Sequence, residues 1–364
     1  TNKRVDQYGG NITNRARIVC EIVEGIKNTC GKDYPVVVRT SGNEDFYGGN
    51  SIEDALTQAI LFEQANADAI HIFYGSAIES YYTKSGFNMD NIRKVKEVVN
   101  IPVIGVGRIN DPTLALAMIK NGSADFVALG RQSICDPHFP NKVKEGRLDE
   151  IFTCTGCMQR CLYTNMVEPG YGTSCMINPF SGKEGLWNIE PTTTKKNILI
   201  VGAGPTGLQA AWILAKRGHQ VTLYEKEGIP GGQYRLACIP SMKQDLAKTI
   251  STYTTLCKKY GVKMVFNQAV TNEFLNQQNA DEIIIATGSL PVIPRSIPGI
   301  MQENQVLAND VLSSKAIIQN QKVLVLGAGL VGVETAEMLA EQNNQVSVVD
   351  MLDKAAPLAP SKPR

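Results

Sequence analysis

Asn197-Ile198-Leu199-Ile200-Val201-Gly202-Ala203-Gly204-Pro205-Thr206-Gly207 is an apolar run that breaks into three spaced glycines and continues with Leu208, Ala211 and Leu214 at helical spacing. The pattern predicts a strand, a tight turn and a helix. Such glycines let the backbone approach a pyrophosphate, which then lies on the helix N-terminus. Three glycines alone say little. Here Glu225 follows 18 residues past Gly207, at the end of the next apolar stretch, where a carboxylate can take a ribose hydroxyl. A glycine-rich turn that binds nothing would not need the strand, the helix and the acid together.

The same unit returns 125 positions later without a gap: Gly202, Gly204, Gly207 and Glu225 fall on Gly327, Gly329, Gly332 and Asp350. Two nucleotide-binding units therefore follow one another. An acid at position 350 favours NADH over NADPH, because a carboxylate repels a 2′-phosphate. The second copy has only begun its βαβ start when the sequence stops at Arg364, so it is expected to be truncated.

Upstream, Cys154, Cys157, Cys161 and Cys175 are spaced C-x2-C-x3-C-x13-C. Three thiols from one loop and a fourth from beyond it suit a [4Fe-4S] cluster, whereas zinc sites usually pair two short Cys turns. A zinc site and unligated thiols are the alternatives. Cys20, Cys30, Cys135, Cys238 and Cys257 are scattered and read as small core residues. Residues 181–197 are polar, with Pro191 and three threonines, and read as a linker into the first nucleotide unit.

Residues 1–150 alternate short β-branched runs with helical patterns, which predicts βα units and a parallel sheet. Strands are expected near Val36–Thr40, Ala69–Phe73, Val103–Val106 and Phe126–Leu129. Ser51 with Asp54 forms a helix start, Asp111-Pro112 another, and Asn121-Gly122 a stop. Four such units make half of an eight-stranded barrel, a further expectation of truncation.

The order of these pieces identifies a family. Asn2 to Gly10 and Asn14-Arg15-Ala16-Arg17 resemble the signature after the fourth strand of the Old Yellow Enzyme barrel. The whole arrangement resembles the 2,4-dienoyl-CoA reductase, enoate reductase and trimethylamine dehydrogenase group, with an FMN barrel, a [4Fe-4S] segment, an FAD domain and a nicotinamide domain. Gly231-Gly232-Gln233 and the strand-turn Ile283 to Gly288 further resemble the FAD site of flavoproteins with two dinucleotide-binding domains.

The resemblance implies an α/β chain holding the C-terminal half of a TIM barrel (1–150), an iron–sulfur segment (151–185), a linker (186–196), an incomplete FAD-binding domain (197–320) and the start of an NAD(P)H-binding domain (321–364). It implies FMN contacts at Arg39, Gly107, Arg108, Gly130 and Arg131, of which the last four match phosphate loops and have surface arginines as their bland alternative. It also implies FAD contacts at Gly202, Gly204, Gly207, Glu225, Gly232, Gln233 and Gly288. The expected activity is a relay from NADH through FAD and the cluster to FMN, which reduces an activated C=C bond of a small molecule. Amine oxidation in the reverse direction and an inactive nucleotide- or cluster-binding fragment are the competing readings. Where dienoyl-CoA reductases place a histidine after the sixth strand, this chain reads Tyr74-Gly75-Ser76 and onward to Tyr81-Tyr82. Those two tyrosines are candidate proton donors, with packing as the alternative, and His71 reads as a core histidine.

Bulk composition excludes other classes. Thirty-six basic against 35 acidic side chains leave a net charge of +1, too little to gather nucleic acid or an anionic membrane. No apolar run reaches a membrane span, and Thr1-Asn2-Lys3-Arg4 is no signal peptide. A cytoplasmic location is expected, which also argues against disulfides. Whether the complete enzyme is a homo-oligomer is left open by the sequence.

Overall fold

The computed structural model describes residues 2–75, 82–163 and 172–356. These form two compact units, divided between Pro137 and His138.

In the first unit, helix α1 (Ile12–Cys30) begins where the Asn11 side chain accepts the Asn14 N–H. It leads to β1 (Val37–Asn43), and α2 (Ile52–Gln64) opens with the Ser51/Asp54 capping box that the sequence predicts. After β2 (Ala69–Tyr74) come α3 (Met89–Val98) and β3 (Val103–Gly105). Helix α4 (Pro112–Lys120) is capped by Asp111, with Pro112 in its first turn, and is followed by β4 (Phe126–Val127) and the short α5 (Arg131–Cys135). β4 is two residues shorter than expected, although the Ala128 N–H still reaches the Gly105 carbonyl at 2.8 Å.

The strands pair in parallel in the order β1-β2-β3-β4, the arrangement of consecutive βα units in a TIM barrel. Strand alternation splits their side chains between two faces. Val38, Ile70 and Val103 lie toward the helices, where they pack with Phe62, Ile92, Val95 and Met118. Burying each of the large ones contributes about 1.5–3 kcal/mol. The register puts Arg39, His71, Ile104 and Phe126 in one row across the other face. That face is open: Val37 is 52% and Phe126 58% exposed.

The second unit starts with α6 (Phe139–Lys144) and the cysteine segment, which contains a π-helical turn at Gln159–Tyr163. Then follow β5 (Asn197–Val201), α7 (Pro205–Lys216) and β6 (Gln220–Tyr224). A 3-10 turn at Gly232–Cys238 leads to α8 (Leu246–Lys259), β7 (Lys263–Val265), α9 (Asn272–Asn276) and β8 (Glu282–Ile285). The sheet order is β7-β6-β5-β8, parallel throughout, which is the doubly wound Rossmann pattern. Its core contains Ile200, Leu208, Trp212, Leu223 and Leu256.

Helix α10 (Ala308–Leu312) precedes β9 (Lys322–Leu326), α11 (Leu330–Glu341) and β10 (Gln345–Val349). β9 and β10 pair in parallel as a second βαβ start, and Leu312 and Leu339 pack in a small core of their own. Among the described residues no helix is long and apolar enough to cross a membrane. Of the scattered cysteines, Cys135 and Cys257 are fully buried and Cys20 and Cys238 half-buried. Cys30 departs from the expectation: it is exposed, being the last residue of α1.

Candidate functional site

The two glycine turns have nearly the same geometry. Gly202 and Gly327 both have φ of 105°, a left-handed conformation open to glycine, and each donates its N–H to the end of the neighbouring strand, at Tyr224 and Val349, over 2.8 Å. A Cβ on Gly207 would stand 1.9 Å from the Gly202 carbonyl oxygen, and one on Gly332 would stand 1.8 Å from that of Gly327. The third glycine is thus required by the closeness of helix and turn. Gly204 and Gly329 cap α7 and α11 with extended backbone, leaving the first-turn N–H groups at the mouth of each turn.

Each acid is tied back to its own turn. Glu225 Oε2 accepts the Ala203 N–H at 2.8 Å, and Oε1 accepts the Glu227 N–H at 3.0 Å. Asp350 repeats this with the Ala328 N–H at 2.5 Å and the Leu352 N–H at 2.8 Å. These backbone bonds, Leu352's the larger, hold the Asp350 carboxyl below its usual range. Every carboxylate oxygen retains a lone pair for a ribose hydroxyl.

Around the first turn the other expected residues converge. Gly231 donates to the Ala203 carbonyl at 2.7 Å, docking the Gly231-Gly232-Gln233 loop on the turn. Gln233 reaches the Ser289 carbonyl just past Gly288, and its Oε1 accepts from Asn309 at 3.2 Å. Ala286 donates to Val201 at 2.8 Å, so the Ala286-Thr287-Gly288 turn lies beside β5. Gly231 belongs to the loop that the sequence pointed to, whereas nothing in the sequence marks Asn309.

In the first unit Arg39, Gly107, Arg108, Gly130 and Arg131 lie along β1 or past the carboxyl ends of β3 and β4. The Arg39 guanidinium stands over the Phe73 ring at 3.9 Å, beside His71 in the register. His71 is half-buried, its Nε2 makes no hydrogen bond, and burial first and the Arg39 charge second lower its pKa, so it is neutral. Gly107 faces Asn88 so closely that a Cβ would come within 2.7 Å of the Asn88 Cβ. Arg108 is buried, holds a left-handed φ of 46°, and donates to the Thr83 carbonyl. Non-glycine backbone in that region costs on the order of 1–3 kcal/mol and gathers at functional sites. Gly130 caps α5 and Arg131 begins it.

Tyr81 lies outside the described residues, and Tyr82 is only half-buried. At the end of β2 the structure presents another tyrosine: the Tyr74 O–H donates to Asp45, and burial with this bond pushes its pKa up to about 12. Its ring meets Phe87 edge-on at 5.1 Å.

Cys154, Cys157, Cys161 and Cys175 are all half-buried. The Ile177 N–H donates to Cys175 Sγ at 3.4 Å, and the Gln159 N–H bonds Cys157 from the same two-residue spacing. Burial raises the Cys157 thiol, while the Gln159 N–H and the Thr155 side chain oppose that rise. The surroundings are apolar, with Met158 2%, Ile151 3% and Ile177 4% exposed. Among the described residues no three His, Cys, Asp or Glu side chains are grouped to hold one metal ion.

Comparison with known proteins agrees with this arrangement. Residues 1–150 match the NADH:flavin oxidoreductase / NADH oxidase family, and residues 196–362 match the pyridine nucleotide-disulphide oxidoreductases. The NADH oxidase of Thermoanaerobacter brockii is 38% identical over 98% of this chain and 56% of its own length. The chain joins a segment of the NADH:flavin oxidoreductase / NADH oxidase family to a segment of the pyridine nucleotide-disulphide oxidoreductase family. It is also 34% identical to the cinnamate reductase of Clostridium sporogenes, over 96% of the chain and 55% of that protein. A 2-naphthoyl-CoA reductase, solved with 2-naphthoyl-CoA, matches its structure with a TM-score of 0.94 at 33% identity, covering 99% of this chain and 55% of that one. The chain thus spans a little over half the length of the relatives it matches, and its matched segments indicate FMN and pyridine-nucleotide or FAD binding.

Proposed function

We propose that this chain is the electron-handling portion of an NADH-dependent enzyme that reduces an activated carbon–carbon double bond in a small molecule. The observation that carries the reading is the duplicated turn, in which Glu225 and Asp350 each brace a glycine loop of the same shape, in a chain that also has four closely spaced cysteines. Cinnamate reductase and 2-naphthoyl-CoA reductase, by their names, act on conjugated acids and thioesters, and the substrate class is taken from them.

In this reading Gly202, Gly204, Gly207 and Glu225 hold FAD, with Gly232, Gln233 and Gly288 along its length, and Gly327, Gly329, Gly332 and Asp350 hold NADH. Arg39 faces the FMN ring, where its charge favours the reduced anionic flavin. Gly107, Arg108, Gly130 and Arg131 take the FMN phosphate. Cys154, Cys157, Cys161 and Cys175 hold a [4Fe-4S] cluster; half-burial and N–H bonds to sulfur suit thiolate ligands of such a cluster. When bound, two flavins and a one-electron centre allow paired electrons to be passed singly and reassembled as hydride. The functional segments are then 1–150 for FMN, 151–185 for the cluster, 197–320 for FAD and 321–364 for the nicotinamide, with 186–196 as linker. A cytoplasmic location goes with this chemistry.

Reverse, amine-oxidising operation is the weaker reading, because the second turn keeps the complete fingerprint of the first. The test is anaerobic turnover of the parent enzyme with NADH and cinnamate as probe. Consumption of NADH matched by saturated product supports the proposal. Flavin reduction by methylated amines, with no cinnamate-dependent NADH loss, would sink it.

A further inference from the structure

Thr252 and Tyr253 are neighbours on α8, and both hydroxyls leave the helix. Thr252 Oγ1 donates to the Ile151 carbonyl at 2.9 Å, and the Tyr253 O–H donates to the Ile177 carbonyl at 2.8 Å. Ile151 stands three residues before Cys154, and Ile177 two residues after Cys175. One helical turn therefore grips both ends of the cysteine segment. All four residues are 3–4% exposed, so neither bond is shared with solvent.

The neighbours on the same helix show that this is no default of hydroxyl side chains. Ser251 and Thr254 bond back to the carbonyls of Ala247 and Ile250 four residues earlier, as helical Ser and Thr commonly do. Thr252 instead reaches a residue 101 positions away. The grip is reinforced from both sides. Lys259, at the end of α8, pairs with Glu150 at 2.6 Å, and the Tyr253 ring meets Phe152 edge-on at 5.9 Å. The Ile177 residue is held twice, by Tyr253 at its carbonyl and by Cys175 Sγ at its N–H.

We propose that Thr252 and Tyr253 are positioning residues for the cysteine ligands, pinching the two ends of the segment so that Cys154 and Cys175 are presented from one fixed mouth. The inference rests on the [4Fe-4S] reading of that segment. Ligand loops are oriented by the hydrogen bonds behind them, and removing such bonds typically costs about 10- to 100-fold in metal affinity. The clamp also removes the entropy of an open loop from the ligand set before metal arrives.

The experiment uses the 364-residue chain, reconstituted with iron and sulfide without oxygen. Thr252→Val and Tyr253→Phe delete one hydroxyl each while keeping shape, and Thr252→Ser keeps the hydroxyl. Iron release to a chelator is expected to quicken about tenfold in the first two and to stay at the unmodified rate in Thr252→Ser. The electron paramagnetic resonance signal of the reduced centre should shift in Tyr253→Phe, the residue nearer a cysteine. Unchanged release and an unchanged signal in both deletions would overturn the clamp and leave the cluster reading intact. Loss of FAD in proportion to iron would also count against it, since the hydroxyls would then only hold the unit together. An unmodified chain that takes up no iron and sulfide refutes the cluster reading itself, and the clamp with it.

Discussion

At Asp350 both carboxylate oxygens are engaged by backbone N–H groups, and those bonds keep the group ionised well below neutral pH. In the proposed nicotinamide site this negative charge stands at the ribose edge throughout the neutral range, where it opposes a 2′-phosphate. The parent enzyme should show higher kcat/KM with NADH than with NADPH. Asp350→Ser combined with a neighbouring arginine should shift that ratio toward NADPH by about tenfold or more, and steady-state kinetics with both cofactors decide it. Two cysteines differ in what surrounds them. Burial pushes the Cys257 thiol up to about 12, where it is inert; burial raises the Cys157 thiol too, but there the Gln159 N–H and the Thr155 side chain oppose the rise. Anaerobically purified chain should contain about four iron atoms. Cys157→Ala should lose most of them and Cys257→Ala none, by iron and sulfide analysis; stoichiometric zinc without iron would contradict the assignment.

Between elements, Lys243 and Glu334 form an ion pair whose side chains are only 8% and 10% exposed. It joins the loop before α8 to α11, across 91 positions, and Ser241 adds a bond to Glu341 of the same helix at 2.8 Å. Removing one member of a buried pair weakens the electrostatic support of the other, at a cost of up to about 3–5 kcal/mol. Glu334→Gln should therefore lower the stability of this unit by that order in denaturant unfolding, and the double change Lys243→Met with Glu334→Leu should recover much of it. The elements themselves were legible in the sequence, because they are written in local signals. The Ser51/Asp54 box, Asp111-Pro112 and the 125-residue repeat all act over short spans or by self-similarity. β4 came out shorter than its apolar run, and Cys30 came out exposed, because pairing length and helix facing depend on neighbours. Lys243 with Glu334, and Thr252 with Ile151, had no sequence signature at all. Such pairs depend on which surfaces the fold brings together, and neither periodicity nor motif spacing encodes that.

For the molecule as a whole, the row of Arg39, His71, Ile104 and Phe126 lies on an open sheet face. In an eight-stranded barrel such a row is covered by side chains of the other strands, in layers. Here Val37 and Phe126 remain more than half exposed, so in the proposed FMN site a flavin ring facing Arg39 would be gripped from one side. The 364-residue chain should bind FMN weakly in fluorescence titration. Extension upstream by about 125–200 residues, half of a usual barrel, should restore tight binding. Stoichiometric FMN in the shorter chain would show that the remaining strands are dispensable for holding it.

The grip of α8 on the cysteine segment also orders events in time. The Ile151 carbonyl leaves the ribosome 101 residues before the Thr252 hydroxyl that donates to it, an interval on the order of 5 to 20 seconds at ordinary elongation rates. Until Thr252 emerges the cysteine segment is part of an unclamped nascent chain, so metal delivered during translation would meet a floppy ligand set. Loading is therefore best suited to a released chain whose first nucleotide-binding sheet has already formed. On the proposed FAD and cluster readings, a cell short of flavin should consequently accumulate this protein without iron.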